Sequence, residues 1–400
     1  MSYIPTTMII LRNMNVNVKG NKFVFWDAYY CQHNKGAGCM RIAIMGAGVA
    51  GLSCAFELEK YGIRPDIYEV QDTVGGRGFN HTAGWMNIMY RPITDAIAYL
   101  KTEYGIVIKP MERVTRVNFY SKNNSASMTG NMGYIVLMGS ATGSVYNQLL
   151  DHIRSPVKYG QVVNFRQLSE DYDHVVVANG TPDVAAVTGN WQLDIAGYIK
   201  GATVTGQFDP QTIVMWFNTD FCQRAYGYFV PWNDHKGSLI LNMQEAGAHA
   251  AAINWKKFLD TIDWDIEILE EYETQHHIGH VHQYQFRNMI FTGLAGGFLD
   301  PLFAFGQIAS VASGAAAAKA IVEGEDFDQL IKLWTLRNQR LRTLRRYLDN
   351  FTDDDFDKAM SVIKTPFFRT LAARSNVNMV WLASKLTQTV LGKKIDQYQV

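Results

Sequence analysis

The feature that most constrains the fold is the stretch from Arg41 to Gly51, RIAIMGAGVAG. Its apolar run, Ile42–Met45, predicts a buried parallel strand. The glycines that follow, Gly46, Gly48 and Gly51, have the spacing G-x-G-x-x-G. In this motif the first glycine allows a tight turn, the second admits a pyrophosphate, and the third lets helix and strand pack closely. The N-terminus of the following helix offers free N–H groups to that anion.

A second strand is predicted over Asp66–Val70, and it carries Glu69, 23 residues after Gly46. An acid at this distance is typical of a group that binds an adenosine ribose hydroxyl. An acid rather than a basic residue also disfavours a 2′-phosphate, which leaves NAD or FAD as the dinucleotide. The contacts predicted from this part of the chain are Gly46, Ala47, Gly48, Ala50, Gly51 and Glu69.

Two further segments favour FAD. The pair Gly75-Gly76, followed by Arg77, resembles the extended fingerprint of FAD-binding flavoproteins, which simple dehydrogenases do not need. Near the other end of the chain, the segment 288–307, NMIFTGLAGGFLDPLFAFGQ, leads into a predicted helix. Its glycines suit a ribityl chain, and its helix N-terminus suits negative charge on a reduced flavin ring. The FAD contacts predicted here are Gly76, Arg77, Gly293, Asp300 as a hydroxyl acceptor, Gly306, Gln307 and Ile308.

The segment 288–307 is similar to the signature G-D-A-A-G-F-x-D-P-x-x-G-x-G of one flavoprotein group. That group contains geranylgeranyl reductases, p-hydroxybenzoate-hydroxylase-like monooxygenases and flavin-dependent halogenases. The segment 173–180, DHVVVANG, resembles the middle strand contact of the group, which implies that Gly180 contacts FAD. The segment 226–231, YGYFVP, resembles the Y-x-W-x-F-P motif that roofs the substrate cavity of geranylgeranyl reductases, and also the W-x-W-x-I-P motif of halogenases. This implies that Tyr226, Tyr228 and Pro231 line a substrate pocket.

The chain departs from the group's pattern at several positions. Leu294 stands where the group has the Asp of its G-D pair, and Asn179 replaces the Asp of the monooxygenase D-G motif. The cysteine element of the reductases is missing, and no lysine between Gly76 and Leu100 is available as a halogenase amine. FAD binding is expected to survive these changes, because backbone and glycine geometry provide most of it.

We predict an α/β fold, with an FAD-binding Rossmann-like three-layer domain, an antiparallel sheet substrate domain and a C-terminal helical tail. The tail is expected to contain a basic amphipathic helix at Leu333–Arg346 and a helix capped by Thr352. Residues 1–39 are predicted to be an N-terminal appendage outside the core. The predicted segments are about 40–100, 140–185 and 280–325 for the FAD domain, about 100–140 and 186–280 for the substrate domain, and 326–400 for the tail.

Four histidines, at positions 276, 277, 280 and 282, lie in QHHIGHVHQ. These histidines fit either a metal site or a polar strand that lines the flavin cavity. No carboxylate or cysteine has matching spacing, and Gly279 suggests a bulge, so we predict no metal. The aromatic residues expected to line the cavity are Trp216, Phe217, Tyr226, Tyr228, Phe229 and Trp232.

Charge and cysteine content limit the partners and the setting. Lys+Arg and Asp+Glu are equal at 37 each, which gives no nucleic-acid footprint. Four cysteines without disulfide spacing favour a reducing, cytoplasmic setting. The apolar stretch Pro301–Ala318 ends in charges on both sides, so a buried helix is expected rather than a membrane span. The segment Met379–Leu391 predicts an amphipathic helix that docks on the body, forms a dimer contact or makes peripheral contact with a membrane.

The resemblance implies an FAD-dependent oxidoreductase that reduces C=C bonds of an apolar, prenyl-type substrate by hydride transfer from reduced flavin. NAD(P)H or a ferredoxin is the expected electron donor, since no second dinucleotide fold is evident. The alternatives are a flavin-dependent monooxygenase or halogenase, and a protein that binds FAD without catalysis. The motifs do not identify the catalytic residues.

Overall fold

The computed structural model describes residues 40–76, 78–221, 226–244 and 247–374. These residues all belong to one unit, which begins at Met40. The predictions made for residues 1–39, for Arg77 and for Met379–Leu391 fall outside the described residues. Two sheets organise this unit, and the chain passes between them several times.

The first sheet has six strands in the order β13-β14-β7-β1-β2-β6. Every neighbouring pair is parallel except β13 with β14. Strand β1 lies in the interior, with β2 on one side and β7 on the other, so its apolar run is buried throughout. In chain order the strands are β1 Ile42–Met45, β2 Asp66–Tyr68, β6 Val157–Lys158, β7 His174–Val177, β13 Gln285–Phe286 and β14 Met289–Phe291.

The second sheet has eight strands in the order β12-β8-β11-β10-β9-β4-β5-β3, and all of its pairs are antiparallel except β4 with β9. The sheet is curled, so that its edge strand meets a central strand: the Thr82 hydroxyl donates to the Val230 carbonyl at 2.7 Å. The strands are β3 His81–Met86, β4 Glu112–Ser121, β5 Ser125–Met138, β8 Trp191–Thr205, β9 Thr212–Phe217, β10 Tyr226–Pro231, β11 Lys236–Gln244 and β12 Glu267–Val281.

The helices cover the sheets and form the tail. Among the described residues, no helix is of a length and apolarity that would carry it across a bilayer. The predicted buried helix within Pro301–Ala318 begins only at Gln307. The helices are α1 Val49–Lys60, α2 Ala96–Tyr104, α3 Val145–Leu150, α4 Phe165–Asp171, α5 Asp183–Val187, α6 Ala248–Asp260, α7 Gln307–Glu323, α8 Phe327–Leu330, α9 Lys332–Leu348, α10 Asp353–Lys364 and α11 Pro366–Arg374.

Helices α1 and α7 pack together through small residues. A Cβ at Gly314 would lie 2.0 Å from the Ala50 carbonyl oxygen, so only glycine allows this approach. The Ser53 hydroxyl donates to the Val311 carbonyl across the same contact, at 3.0 Å. This packing brings the N-terminal ends of both helices to one side of the molecule.

The predicted fold class is confirmed, with two differences in detail. Strand β2 ends at Tyr68, so Glu69 follows the strand rather than closing it. Strand β3 falls within the segment 40–100 that was predicted for the FAD domain, but it pairs in the second sheet. In the tail, Thr352 caps α10 as predicted and forms a capping box with Asp355.

Candidate functional site

Two glycines of the G-x-G-x-x-G motif are required by close packing. Gly46 has a φ of 102°, and a Cβ there would lie 2.4 Å from the Ala178 carbonyl oxygen at the end of β7. A Cβ at Gly51 would lie 1.9 Å from the Gly46 carbonyl oxygen. The tight turn and the close approach of helix to strand therefore both depend on the missing side chains.

Gly48 is different, because the protein itself does not require a glycine at this position. Its φ of −77° is open to any residue, and a Cβ would meet only the Ala178 carbonyl oxygen, at 3.8 Å. The residue is the N-cap of α1, whose first turn has neither an acidic residue nor a side-chain cap. The open surface and the uncapped N–H groups together suit an approaching pyrophosphate.

Glu69 lies beside this loop at the carboxyl end of β2. Its Oε2 accepts a hydrogen bond from the Ala47 amide at 2.8 Å, and its Oε1 accepts one from the Gln71 amide at 2.9 Å. The carboxylate is thus held next to the glycine turn, where it suits a ribose hydroxyl. Asn179 follows β7 at the same edge, and its buried Oδ1 has no hydrogen-bond partner within the described residues. Gly180 follows it with a φ of 75°.

The glycine segment near residue 300 meets the first glycine motif. A Cβ at Gly293 would lie 2.8 Å from the Ala50 Cβ, and the Gly293 amide donates to the Ser313 hydroxyl at 3.0 Å. Two segments more than two hundred residues apart in sequence are therefore in direct contact. Gly76 lies in the loop after β2, where a Cβ would contact the Thr73 hydroxyl at 2.9 Å.

The role predicted for Asp300 needs correction. Its side chain is fully buried, and its carboxylate accepts from the Leu302, Phe303 and Phe305 amides at 2.8–3.0 Å. Arg337 of α9 donates to the same carboxylate at 3.4 Å. A cofactor hydroxyl has no access to a carboxylate in this position. Asp300 instead shapes the loop that leads into α7.

This loop, residues 297–306, brings the N-terminus of α7 to a cavity. Ala304 has a φ of 56°, a left-handed conformation that disfavours residues with a Cβ. Gly306 is the N-cap of α7, and both Gly306 and Gln307 line the cavity. The Ile308 side chain lies in the hydrophobic core, so only its backbone belongs to the helix terminus.

The cavity has a volume of about 230 Å³ and lies between the two sheets. Val49, Gly306, Gln307 and Ser310 line it from the dinucleotide side, and alternate residues of the second sheet form its floor. None of the described lining residues is Asp, Glu, Lys or Arg. The remaining lining residues are Phe79, His81, Ala83, Gly84, Met86, Met138, Tyr146, Ile199, Ile213, Met215, Tyr226, Tyr228, Val230, Ile240, Asn242, Tyr272, Thr274, His276, Leu294, Leu299, Phe303, Ala304 and Phe305.

Two of the predicted pocket residues, Tyr226 and Tyr228, do line this cavity. Their ring centroids are 5.5 Å apart, and the Tyr226 hydroxyl donates to the Phe303 carbonyl of the loop before α7. Burial raises the pKa of Tyr228 well above its ordinary value, and burial does the same for the pKa of Tyr272. Both phenols are therefore protonated at neutral pH.

The other predicted pocket residues lie elsewhere. Pro231 is buried at the end of β10 but is not among the lining residues of the cavity. Trp216 and Phe229 belong to the hydrophobic cluster that packs against α6, on the opposite face of the sheet. Phe217 stacks on Phe356 of the tail, and the Trp232 indole donates to Ser238 at 2.7 Å.

The histidines of β12 divide into two groups. His276 lines the cavity, and its ring lies across Gly197 of β8, where a Cβ would be 2.2 Å from ring atoms. His280 instead contacts the Asp194 carboxylate at 3.3 Å, outside the cavity, and lies beside His282. Within the described residues no three His, Cys, Asp or Glu side chains are grouped as metal ligands would be.

Sequence reasoning missed several residues of the site. Asn242, Tyr272, Thr274 and Ser310 all line the cavity, and the buried Ser310 hydroxyl has no partner among the described residues. Phe79 also lines it and stacks on Tyr272, with centroids 4.2 Å apart. The alternation Y-x-T-x-H within β12 is a usable signal for two of these side chains, Tyr272 and Thr274, because alternate residues share one face of a strand with His276.

The fold and the site together have the architecture of FAD-dependent flavoproteins, with a Rossmann-like glycine turn at its start. The family profile described as NAD(P)-binding Rossmann-like domain matches residues 44–95. A protein of Mycobacterium tuberculosis named as a flavin-containing monoamine oxidase, AofH, is 33% identical over 103 residues. That match covers 24% of this chain and 23% of AofH, so the chain matches about a quarter of this relative's length.

Solved structures resemble the chain over most of its length. A geranylgeranyl bacteriochlorophyll reductase-like protein from Thermoplasma acidophilum has a TM-score of 0.67 and 13% identity, over 87% of this chain and 98% of that one. The flavin-dependent brominase Bmp2 has a TM-score of 0.61 and 14% identity, over 90% and 100%. The flavin-dependent halogenase CmlS has a TM-score of 0.59 and 15% identity, over 90% and 78%. At these identities the resemblance predicted from the motifs is confirmed as a shared fold.

Proposed function

We propose that this chain is an FAD-dependent oxidoreductase that reduces C=C bonds of an apolar, prenyl-type substrate. The observation that carries the proposal is the cavity between the two sheets. The N-terminal ends of α1 and α7 contribute to one wall, and no described lining residue is a carboxylate, a lysine or an arginine. Such a chamber favours an uncharged, apolar substrate, because a buried charge without a partner costs several kcal/mol.

The residues present suit FAD. The open position at Gly48 and the uncapped N-terminus of α1 suit the pyrophosphate, and Glu69 suits the ribose. The N-terminus of α7 and the unpartnered Ser310 hydroxyl face the cavity from the same wall. When bound and reduced, FAD supplies the hydride for such a reduction.

The cavity residues contribute binding and the exclusion of bulk water. Tyr226 and Tyr228 present their rings to the substrate, and the hydrogen bond from Tyr226 to Phe303 fixes the loop before α7. The positive end of the α7 dipole favours negative charge on a reduced ring. Burial raises the pKa of the Tyr228 and Tyr272 hydroxyls at the floor of the cavity, so both act as neutral hydrogen-bond donors to a bound ligand. The proton that completes the reduction comes from solvent.

Among the alternatives, a halogenase is disfavoured by the absence of lysine from the described lining residues. An oxygen-using monooxygenase is compatible with the same cavity. A chain that binds FAD without catalysis is motivated by Leu294, which lines the cavity where the flavoprotein group has an acid. NAD(P)H or a ferredoxin stays the predicted electron donor, and peripheral membrane contact through Met379–Leu391 stays a prediction.

The test begins with the absorbance spectrum of the purified protein and its reconstitution with FAD. The loaded protein is then reduced with dithionite under anaerobic conditions and mixed with a short prenyl alcohol such as geraniol. We expect the flavin band to return and the product to gain two hydrogens by mass spectrometry. A gain of one oxygen under air supports the monooxygenase instead, and failure to reoxidise with any prenyl acceptor supports the non-catalytic alternative.

A matched variant controls for free flavin in this assay. Gly48→Val places a branched side chain where the pyrophosphate is expected, while the protein packing leaves room for it. The variant is expected to fold normally and to lose both the yellow colour and the turnover. Turnover that persists without bound flavin contradicts the proposal.

A further inference from the structure

Polar groups in the cavity are concentrated at one side of its floor. In the register of the second sheet, Asn242 pairs with Tyr226 on one side and with Ile199 on the other. Ile199 in turn pairs with Thr274 of β12, and His276 is the next cavity residue along that strand. Asn242 and Thr274 are therefore two strand spacings apart, about 9–10 Å between backbones. They form, with His276, a polar corner.

The part of the floor formed by β9 is apolar. Met215 of β9 pairs with Tyr228, and Ile213 lies two residues before Met215. Met86 of β3 belongs to the same hydrophobic cluster as Ile213. Strand β9 is four strands away from β12 in the sheet, so the floor has a hydrocarbon surface at β9 and the polar corner at β11 and β12.

The polar corner has no fixed charge. Among the described lining residues, His81 and His276 are the only side chains that titrate to a cation, and no lining residue is an acid. Arg77 lies outside the described residues, and the sequence assigns it to the cofactor. A diphosphate or carboxylate that enters this chamber loses its hydration, and no arginine or lysine among the described lining residues replaces it. An ammonium group likewise meets no carboxylate there. Binding of either kind of charge is therefore disfavoured.

We infer that the polar corner of Asn242, Thr274 and His276 selects a substrate with an uncharged hydrogen-bonding head, an alcohol or a carbonyl, on its prenyl chain. The Asn242 amide carries donors and an acceptor. The Thr274 hydroxyl donates to the Gln275 carbonyl at 3.3 Å and keeps lone pairs that accept. Together the two side chains can accept from an alcohol and donate to either head. The inference rests on the proposed function for the prenyl part of the substrate, but the preference among head groups is a property of the binding site alone.

The hydrocarbon chain of the substrate then lies along the apolar part of the floor. A prenyl unit that places its head at the polar corner has its hydrocarbon against Met86, Ile213 and Met215. The carbon nearest the wall of α7 is then the one available for reduction.

The experiment compares one chain with different heads. The FAD-loaded, oxidised protein is titrated with geraniol, geranial, geranic acid, geranylamine and geranyl diphosphate, and binding is followed by the change in the flavin spectrum and by calorimetry. We expect the alcohol and the aldehyde to bind about tenfold or more tightly than the three charged ligands, a difference of about 1.4 kcal/mol or more. Equal affinities, tighter binding of a charged ligand, or no saturable binding of any of them overturns the inference.

Variants locate the selecting residues. Asn242→Leu and Thr274→Val are each expected to weaken geraniol binding about tenfold while leaving the hydrocarbon myrcene unaffected. Gln275→Leu, on the exposed face of β12, serves as the matched control and is expected to change neither affinity. If both variants bind geraniol as tightly as the parent protein does, the polar corner does not recognise the head group. Binding is measured on oxidised protein without turnover, so the two experiments can fail separately. If geraniol is not reduced, the preference for uncharged heads can still be observed. If the preference is absent, the protein can still reduce geraniol.

Discussion

At the scale of single residues, neighbouring glycines of one motif have different reasons to be glycine. Gly51 is required by the protein, because a Cβ would lie 1.9 Å from the Gly46 carbonyl oxygen. Gly48 has ordinary dihedral angles and open space around its Cα. The fold does not require a glycine at position 48, and the motif suits a phosphate. The glycine there is best explained by the close approach of a ligand.

This difference gives a paired prediction. Gly51→Ala is expected to lower the free energy of unfolding by about 1–3 kcal/mol, because backbone must move to admit the methyl group. Gly48→Ala is expected to change it by about 0.5 kcal/mol or less, while FAD affinity falls about tenfold. Urea unfolding and fluorescence titration with FAD measure the two quantities. An unchanged FAD affinity in Gly48→Ala contradicts the assignment of the pyrophosphate to this loop.

Ala304 is a second residue whose backbone conformation makes a measurable prediction. With a φ of 56°, it occupies a region that costs about 1–2 kcal/mol for a residue with a Cβ. Ala304→Gly removes this strain but adds unfolded-state entropy of about 0.5–1 kcal/mol, so a net stabilisation of up to about 1 kcal/mol is expected. Urea unfolding without FAD measures it, with Ala320→Gly in the interior of α7 as a control that should destabilise. A destabilised Ala304→Gly shows that the loop is not strained.

Single residues also show where sequence reasoning ends. Glu69 was placed correctly beside the glycine loop because the motif fixes its distance along the chain and the parallel sheet fixes its position in space. Asp300 was misassigned, because its carboxylate turns back onto the amides of its own loop and meets Arg337, 37 residues later. No local pattern distinguishes an acid that binds a ligand from one that stabilises a loop.

At the scale of elements, helix α9 holds the loop that shapes the cavity. Arg337 donates to the Met89 carbonyl at 2.8 Å and to Asp300, and the neighbouring Asn338 donates to the Gly297 carbonyl at 3.2 Å. Arg337 and Asp300 are both buried, with exposed fractions of 6% and 0%. The tail therefore anchors the first part of the loop that carries Phe303 and Ala304 into the cavity.

Removal of the arginine should expose this dependence. Arg337→Met leaves the Asp300 carboxylate buried without its cation, and a loss of about 3–5 kcal/mol in unfolding free energy is expected. Arg340→Met, on the same helix and without an ion pair among the described residues, is expected to change it by about 0.5 kcal/mol or less. Guanidinium unfolding compares the two. Equal effects of the two substitutions would mean that the buried pair contributes nothing specific.

The strands show a similar division between what was predicted and what was not. Alternation placed Tyr226 and Tyr228 together on one face of β10, and they share that face. It did not indicate which face of the sheet is covered by α6, so Trp216 and Phe229 were assigned to the cavity although they pack beneath that helix. A period of two identifies faces but not their neighbours, because the neighbours come from distant parts of the chain.

At the scale of the whole molecule, the two sheets are built from interleaved segments. Strands β1 and β2 belong to the first sheet, β3 to β5 to the second, β6 and β7 to the first again, and β8 to β12 to the second. The sequence motifs marked the dinucleotide segments well, because glycine spacing is local. The pairing of β3 with β5 and the curl of the second sheet depend on contacts between residues distant in sequence, and no motif predicts such contacts.

Interleaving and a shared cavity predict that the two sheets unfold together. On the proposed function FAD binds through the first sheet and faces the second, so a ligand concentration of 100 times Kd should stabilise the whole unit by about 2.7 kcal/mol. Calorimetry is expected to show one transition without FAD and one at higher temperature with it, with Gly48→Val unshifted by FAD as the control. Two transitions, only one of which shifts with FAD, would show that the second sheet folds independently. The cavity wall formed by α7 would then not couple the second sheet to the dinucleotide site.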